Sequence, residues 1–248
     1  MTGIAVITGA SRGIGAATAL RAGEAGYDVC VNYNQSKERA ESIAAAVRAI
    51  GCRAICVQAD TRIEADVMRL FETVDQELGV VRALVNNAGG LGRPSVVADL
   101  SADEVNAMFT ANATSYFVCA REAIRRMSTA TGGQGGAIVN VGSVAARIGS
   151  PGLYVHYAAA KAAVDTFTIG LAKEVADQGI RVNAVRPGMI HSDIRVSAGL
   201  PDGVEEIAPT IPMKRYGDAE EVADSILWLL SDRSSYVTAT LVDVSGGR

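Results

Sequence analysis

The chain has 248 residues, of which 49% are hydrophobic and 20% charged, and its formal net charge is −4. That length suits one undivided α/β domain, residues 1–248, since such domains run to roughly 250 residues. The mild acidity argues against a nucleic-acid or anionic-membrane surface. No apolar run nears the roughly 20 residues of a membrane span, and the opening MTGIAVITGA lacks the basic region of a secretion signal. Cys30, Cys52, Cys56 and Cys119 are scattered, and His156 and His191 are the only histidines. With no zinc-ligand spacing, reduced thiols, no metal and a cytoplasmic location are expected.

In chain order, strands are predicted over 4–8, 29–33, 54–58, 83–86, 137–141, 181–185 and 240–244. Amphipathic patterns of helical period separate them, as at 36–50 and 63–78. Short apolar runs alternating with helices indicate βαβ units, hence a parallel sheet covered on both faces, the doubly wound α/β class. Two loops stand out, 89–101 after the fourth strand and 186–218 after the sixth. Ligands of such sheets sit outside the carboxyl ends of the strands, so 186–218 is expected to form a substrate lid.

The first strand runs into TGASRGIGAATAL, with glycines at 9, 13 and 15. Glycines there permit a tight turn, close approach of backbone to pyrophosphate, and close helix–strand packing. The helix that follows aims its free N–H groups and positive dipole end at the phosphates. The second strand ends in Asn32, Tyr33 and Asn34, where NAD-selective folds usually carry a carboxylate for the ribose 2′-hydroxyl. A 2′-phosphate is therefore tolerated, with Arg12, Asn32, Asn34 and Lys37 as candidate donors. NADP(H) is expected ahead of NAD(H).

The segment HYAAAKAAV places Tyr157 and Lys161 four residues apart, on one face of a helix. Taken alone, the window reads either as a surface pair on a packed helix or as an acid and base held together.

Several motifs occur in one order: TGASRGIG (8–15), NNAG (86–89), Asn112, VGS (141–143), YAAAK (157–161), RPG (186–188) and VSGG (244–247). In this the chain resembles the single-domain short-chain dehydrogenases/reductases, and within them it is similar to bacterial glucose-1-dehydrogenase-like and 3-oxoacyl-carrier-protein-reductase-like enzymes. The resemblance implies a Rossmann fold with a seven-stranded parallel sheet and helices on both faces. It implies a catalytic tetrad of Asn112, Ser143, Tyr157 and Lys161. Tyr157 would exchange a proton with the carbonyl or secondary-alcohol oxygen. Lys161 would lower the phenol's pKa from its usual value near 10 and hold the ribose. Ser143 would stabilise the substrate oxygen, and Asn112 would hold a water leading to Lys161.

Cofactor contacts implied by the same matching are Gly9, Ser11, Arg12, Gly13, Ile14 and Gly15 in the loop, and Asn32, Tyr33 and Asn34 after the second strand. Asp60 and Thr61 would meet the adenine, and Asn87, Ala88 and Gly89 would line the cofactor. Pro187, Gly188, Ile190 and Ser192 would shape the nicotinamide site, with Tyr157 and Lys161 closing it. The expected partners are a small carbonyl or alcohol substrate and three further copies in a homotetramer. An NAD(P)-dependent sugar dehydrogenase and a non-catalytic dinucleotide sensor are the alternative functions. Two features depart from the family pattern: Ser143 and Tyr157 lie fourteen apart, one more than usual, and Ala239 stands where glycine is common. His156 and His191 are expected to line substrate or serve structure, and Arg121, Arg125 and Arg126 to form a solvated helix face. Met189, His191, Leu153, Val155 and Leu91 suggest a mainly apolar pocket.

Overall fold

Seven short runs rich in valine, isoleucine and alanine become the strands β1 (Ile4–Ile7), β2 (Asp28–Tyr33), β3 (Ala54–Gln58), β4 (Val81–Asn86), β5 (Gly136–Val141), β6 (Ile180–Pro187) and β7 (Leu241–Val244) of a computed structural model. It describes residues 3–192 and 204–248, with only the backbone of Val204 and Glu205. All neighbouring strands run parallel, in the order β3-β2-β1-β4-β5-β6-β7. β1 and β5 are buried along their whole length. Strands covered on both faces have no solvent side, which is why they read as continuous apolar runs instead of alternating ones. Each predicted strand is present, with ends displaced by a residue or two.

Helices α1 (Gly13–Glu24) and α2 (Lys37–Ala49) cover one face of the sheet together with α9 (Ala219–Leu230), and α3 (Glu64–Glu77), α5 (Ser115–Met127) and α7 (Val155–Val175) cover the other. Val29, Val31, Val139 and Val185 meet Ala19, Val47, Ile226 and Leu229 in the first core. Val6, Leu84, Ile138 and Val182 meet Leu70, Phe71, Met127 and Leu171 in the second. Shorter helices are α4 (Ala102–Phe109), α6 (Ala145–Ile148) and α8 (Val204–Ile207). Ser101 starts α4 with a capping box, its hydroxyl accepting from the Glu104 N–H while the Glu104 carboxylate accepts from the Ser101 N–H. Two of the free donors at a helix start are thereby satisfied.

The strand order reverses between β1 and β4, and a crevice opens there at the carboxyl ends of the strands. The predicted lid is shorter than 186–218 at its start, because Arg186 and Pro187 pair with Asp243 and Val244 and belong to β6. Both ends of the remaining loop are tied: the His191 N–H donates to the Gly217 carbonyl and the Gly217 N–H to the Met189 carbonyl, each at 2.9 Å. Residues 193–203 of the lid lie outside the described residues. Ala239 takes a φ of +60°, a left-handed conformation that glycine adopts without the Cβ clash, which accounts for glycine in relatives. Among the described residues no helix is long and apolar enough to cross a membrane.

Candidate active site

The loop after β1 and the loop after β4 are knitted together by small polar groups. The Thr8 hydroxyl accepts from the N–H groups of Asn87 (2.9 Å) and Ala88 (3.0 Å), while the Asn87 amide donates to the carbonyls of Thr8 and Gly9. Two glycines make this approach sterically feasible. A Cβ at Gly9, whose φ is +62°, would lie 2.9 Å from the Ala88 Cα, and one at Gly15 would lie 2.5 Å from the Asn87 amide nitrogen. Gly13 differs, because a Cβ there would meet only Ser192, at 3.7 Å. Its φ of +54° opens α1 and leaves the first turn of that helix facing open space.

A cavity of about 480 Å³ occupies the crevice. Of the predicted cofactor contacts, Gly9, Ser11, Arg12, Gly13, Ile14, Asn32, Asn34, Asp60, Thr61, Asn87, Ala88, Gly89 and Ser192 border it. Gly15 lies behind the loop, packed on Asn87. Pro187 and Gly188 are tied to their neighbours, the Pro187 carbonyl accepting from Val144 and the Gly188 N–H donating to Val244. Ile190 borders a second cavity, of about 430 Å³, with Arg147, Arg215 and Asp243.

Two residues expected to meet the cofactor at the end of β2 have side chains engaged within the protein. Asn32 is 1% exposed, and its amide nitrogen donates to the carbonyls of Val57 (3.2 Å) and Ala59 (3.1 Å) while its oxygen accepts from the Gly9 N–H (3.1 Å). Its donors are spent on bracing the glycine loop and are not offered to a 2′-phosphate. Tyr33 is buried in the core against the α1–α2 side. Lys37 is exposed and does not border the cavity. A charged group that motif reading missed stands there instead: Arg62 clamps Asp60, from Nη2 to Oδ2 at 2.6 Å and from Nε to Oδ1 at 2.9 Å, and Asn34 donates to Asp60 as well. Arg62 holds the Asp60 carboxyl below its ordinary pKa, although burial works the other way. The cavity wall thus carries the guanidinium groups of Arg12 and Arg62 and one carboxylate already paired.

The tetrad residues come from three segments. Ser143 follows β5, Tyr157 and Lys161 lie one turn apart on α7, and Asn112 lies in a π-turn, Thr110–Thr114, that joins α4 to α5. Local widening of this kind recurs at functional sites. Both hydrogens of the Asn112 amide go to carbonyls, Gly90 at 3.0 Å and Met108 at 3.2 Å, and its oxygen accepts from the Gly90 N–H. The side chain clasps the loop after β4, so the expected water is not held by its amide nitrogen. A Cβ at Gly89 would stand 2.5 Å from the Asn112 oxygen, so the clasp requires glycine there.

Tyr157 is 9% exposed. Burial pushes the phenol up to about 12, against the pull of the Ser143 side chain. Lys161 is 3% exposed, and its Nζ donates to the Val141 carbonyl at 2.8 Å and the Tyr116 hydroxyl at 3.1 Å. Nζ stands 5.8 Å from the centre of the Tyr157 ring. Burial pushes the ammonium down to about 7, opposed by the charge of Asp165. Desolvation dominates both groups, and it raises Tyr157 while lowering Lys161. Tyr116 escaped sequence reading because a buried aromatic on an apolar helix face carries no signal that separates ligand from core.

His156 is buried beside Gly92, with its Nδ1 unpartnered, and burial lowers its pKa. His191 stacks loosely on Tyr216, ring centres 5.2 Å apart. Arg121, Arg125 and Arg126 surround Glu122, and Arg121 and Arg126 also reach Glu64 and Asp75 on α3. Those charges are engaged within the chain. Leu153 and Val155 are exposed.

The family described as enoyl-(acyl carrier protein) reductase matches residues 9–248. The chain is 50% identical over 245 residues to an Escherichia coli K12 protein named uncharacterized oxidoreductase YgfF, covering 99% of each. It is 36% identical over 248 residues to the 3-oxoacyl-[acyl-carrier-protein] reductase of Staphylococcus aureus Mu50, covering 100% of this chain and 98% of that one. A solved short-chain dehydrogenase from Burkholderia cenocepacia J2315 in complex with NADP aligns with a TM-score of 0.89 at 32% identity, over 98% of this chain and 96% of the other.

The downward shift of Lys161 has a stability consequence. A lysine whose pKa falls from 10.5 to about 7 on folding destabilises the native state fully below pH 7, and the penalty fades as pH rises toward the unfolded value. Tyr116 still donates to the Val141 carbonyl, at 3.1 Å, when the lysine is removed. Lys161→Met is expected to raise Tm at pH 6, with the gain shrinking by pH 10. Thermal unfolding across that range checks it.

Proposed function

The chain belongs to the short-chain dehydrogenase/reductase family of oxidoreductases, and from that premise we propose that it is an NADP(H)-dependent carbonyl reductase, reversible as a secondary-alcohol dehydrogenase, with Tyr157 as its acid and base. The observation that carries the proposal is the grouping of buried Tyr157 and Lys161 with half-buried Ser143 at the carboxyl end of β5. The crevice fits a dinucleotide: its glycines leave backbone N–H groups and the start of α1 open toward it, and two arginines border it. When bound, NADPH supplies the hydride that reduces the carbonyl carbon.

The chain's own residues manage the proton. Ser143 hydrogen-bonds the carbonyl oxygen and orients it toward the Tyr157 hydroxyl. As negative charge grows on that oxygen, Tyr157 donates its proton, and the charged Lys161 lowers the cost of leaving a phenolate. A buried ammonium with a pKa near 7 also releases a proton readily to restore the phenol. Arg12 and Arg62 favour a 2′-phosphate electrostatically, and the pairing of Asp60 with Arg62 removes the carboxylate that would repel it. The bound NADP of the Burkholderia structure supports the same preference. The 3-oxoacyl thioester reductases among the relatives make such thioesters the first substrates to try, followed by enoyl thioesters, simple ketones, aldehydes and sugar lactones.

The proposal includes a homotetramer. An exposed stack of Phe117 on Phe167, rings 3.8 Å apart, and the free edge of β7 are surfaces on which copies of the chain would pair.

Three outcomes are expected. Tyr157→Phe reduces turnover by about 10³-fold or more, on the scale of losing acid catalysis, while NADPH binding by fluorescence stays near that of the parent; retained turnover would exclude Tyr157 as the acid. The Michaelis constant for NADPH is lower than that for NADH, and a clear preference for NADH overturns the cofactor assignment. Light scattering at micromolar concentration gives the tetramer mass, and a stable monomer rejects the assembly.

A further inference from the structure

A line of charge runs behind the Tyr157–Lys161 pair, and the acid–base chemistry above leaves it unused. Asp165 follows Lys161 by one turn of α7, so the two side chains share a helix face. Its side chain is 13% exposed, and Oδ2 accepts from Arg186 Nη1 at 3.3 Å. Oδ1 is shut away from solvent with no partner among the described residues, and it lies 3.2 Å from the point where a Cβ on Gly142 would stand, just before Ser143. Arg186, near the end of β6, also donates to Asp243 of β7 at 2.5 Å, and Arg147 of α6 pairs with the other Asp243 oxygen.

Among the described residues Lys161 touches groups that carry no charge: the Val141 carbonyl, the Tyr116 hydroxyl of α5 and, more distantly, the Tyr157 ring. None of these compensates a buried ammonium as a carboxylate does. Among the described residues Asp165 is the one charge that acts on it. Asp165 in turn faces Lys161, Arg186 and, through Arg186, Asp243; Arg147 reaches Asp243 but not Asp165. Burial raises the Asp165 carboxyl above its ordinary pKa and Asp243 adds to the rise, while Arg186 and Lys161 pull it back toward the ionised form.

We propose that Asp165 is a positioning residue that keeps Lys161 charged within its buried site, and that Arg186 holds the Asp165 carboxylate in place for this. The inference rests on the carbonyl-reductase reading for its kinetic half, because Asp165 acts on Tyr157 only through Lys161. In a medium of low dielectric one nearby charge shifts a titration by a unit or more. Rising pH strips the lysine of its charge, and removing the Asp165 charge makes that happen at lower pH. The alkaline limb of carbonyl reduction then moves toward acid.

Asp165→Asn keeps the shape and one acceptor for Arg186. The chain has four lysines, of which Lys161 is buried and the other three exposed, so ¹³Cε-lysine labelling follows its titration without cofactor or substrate. In the variant Lys161 is expected to titrate about one unit lower. The alkaline limb of NADPH-dependent reduction shifts equally, about tenfold in rate above the limb, while NADPH affinity stays within about twofold. Asp165→Glu restores both readouts toward the parent. Asp165→Ser gives the same downward shift and serves if the amide variant does not fold. An unmoved Lys161 titration, or a uniform loss of rate with the limb in place, overturns the proposal. If the parent reduces no carbonyl compound, the functional reading fails, and the lysine titration still decides the Asp165 coupling by itself.

Discussion

The hydrogen bond from Lys161 to the Val141 carbonyl joins the catalytic helix to the sheet at the point where the site is built. Val141 is the last residue of β5, and its carbonyl also accepts from Tyr116 of α5. One acceptor thus gathers three elements, and the lysine cannot leave without giving up an interaction that water would otherwise supply. Because the ammonium is held inside the protein, its charge is costly and sensitive to each neighbour. The same burial that lowers Lys161 raises Tyr157. Burial thus acts in opposite directions on two adjacent groups.

The second organising feature is the seam between the β1 and β4 loops. Thr8, Asn32 and Asn87 spend their side chains on backbone groups, and Asn112 does the same for Gly90. None of these residues needs to touch a ligand to matter. They hold the loops at a spacing that only Gly9, Gly15 and Gly89 allow, since a Cβ at each would fall within 3 Å of a neighbouring atom. A rigid crevice offers its N–H groups to phosphate without the cost of rearranging on binding.

How the site was legible depended on range. The glycine loop and the Tyr157–Lys161 pair are local patterns, and local geometry converts each directly into a position in space. Strand boundaries shifted by a residue or two because pairing partners, such as Asp243 for Arg186, extend a strand beyond its apolar run. Asn32 illustrates the opposite case: its place near the end of β2 suggested a ligand, but the carbonyls of Val57, on β3, and Ala59, just beyond it, claim its donors. Tyr116, Arg62 and Asp165 carry no motif, so their roles appear only when distant segments are brought together.

From sequence alone came the parallel α/β class, the glycine-rich turn after the first strand and the placing of Tyr157 and Lys161 on one helix face, because periodicity, glycine spacing and the rise of a helix act over a few residues. Tertiary structure decided the protonation tendencies of that pair, which asparagines brace rather than bind, and which arginine faces the crevice. Those properties depend on burial and on partners tens of residues away, and no short window of a chain contains either.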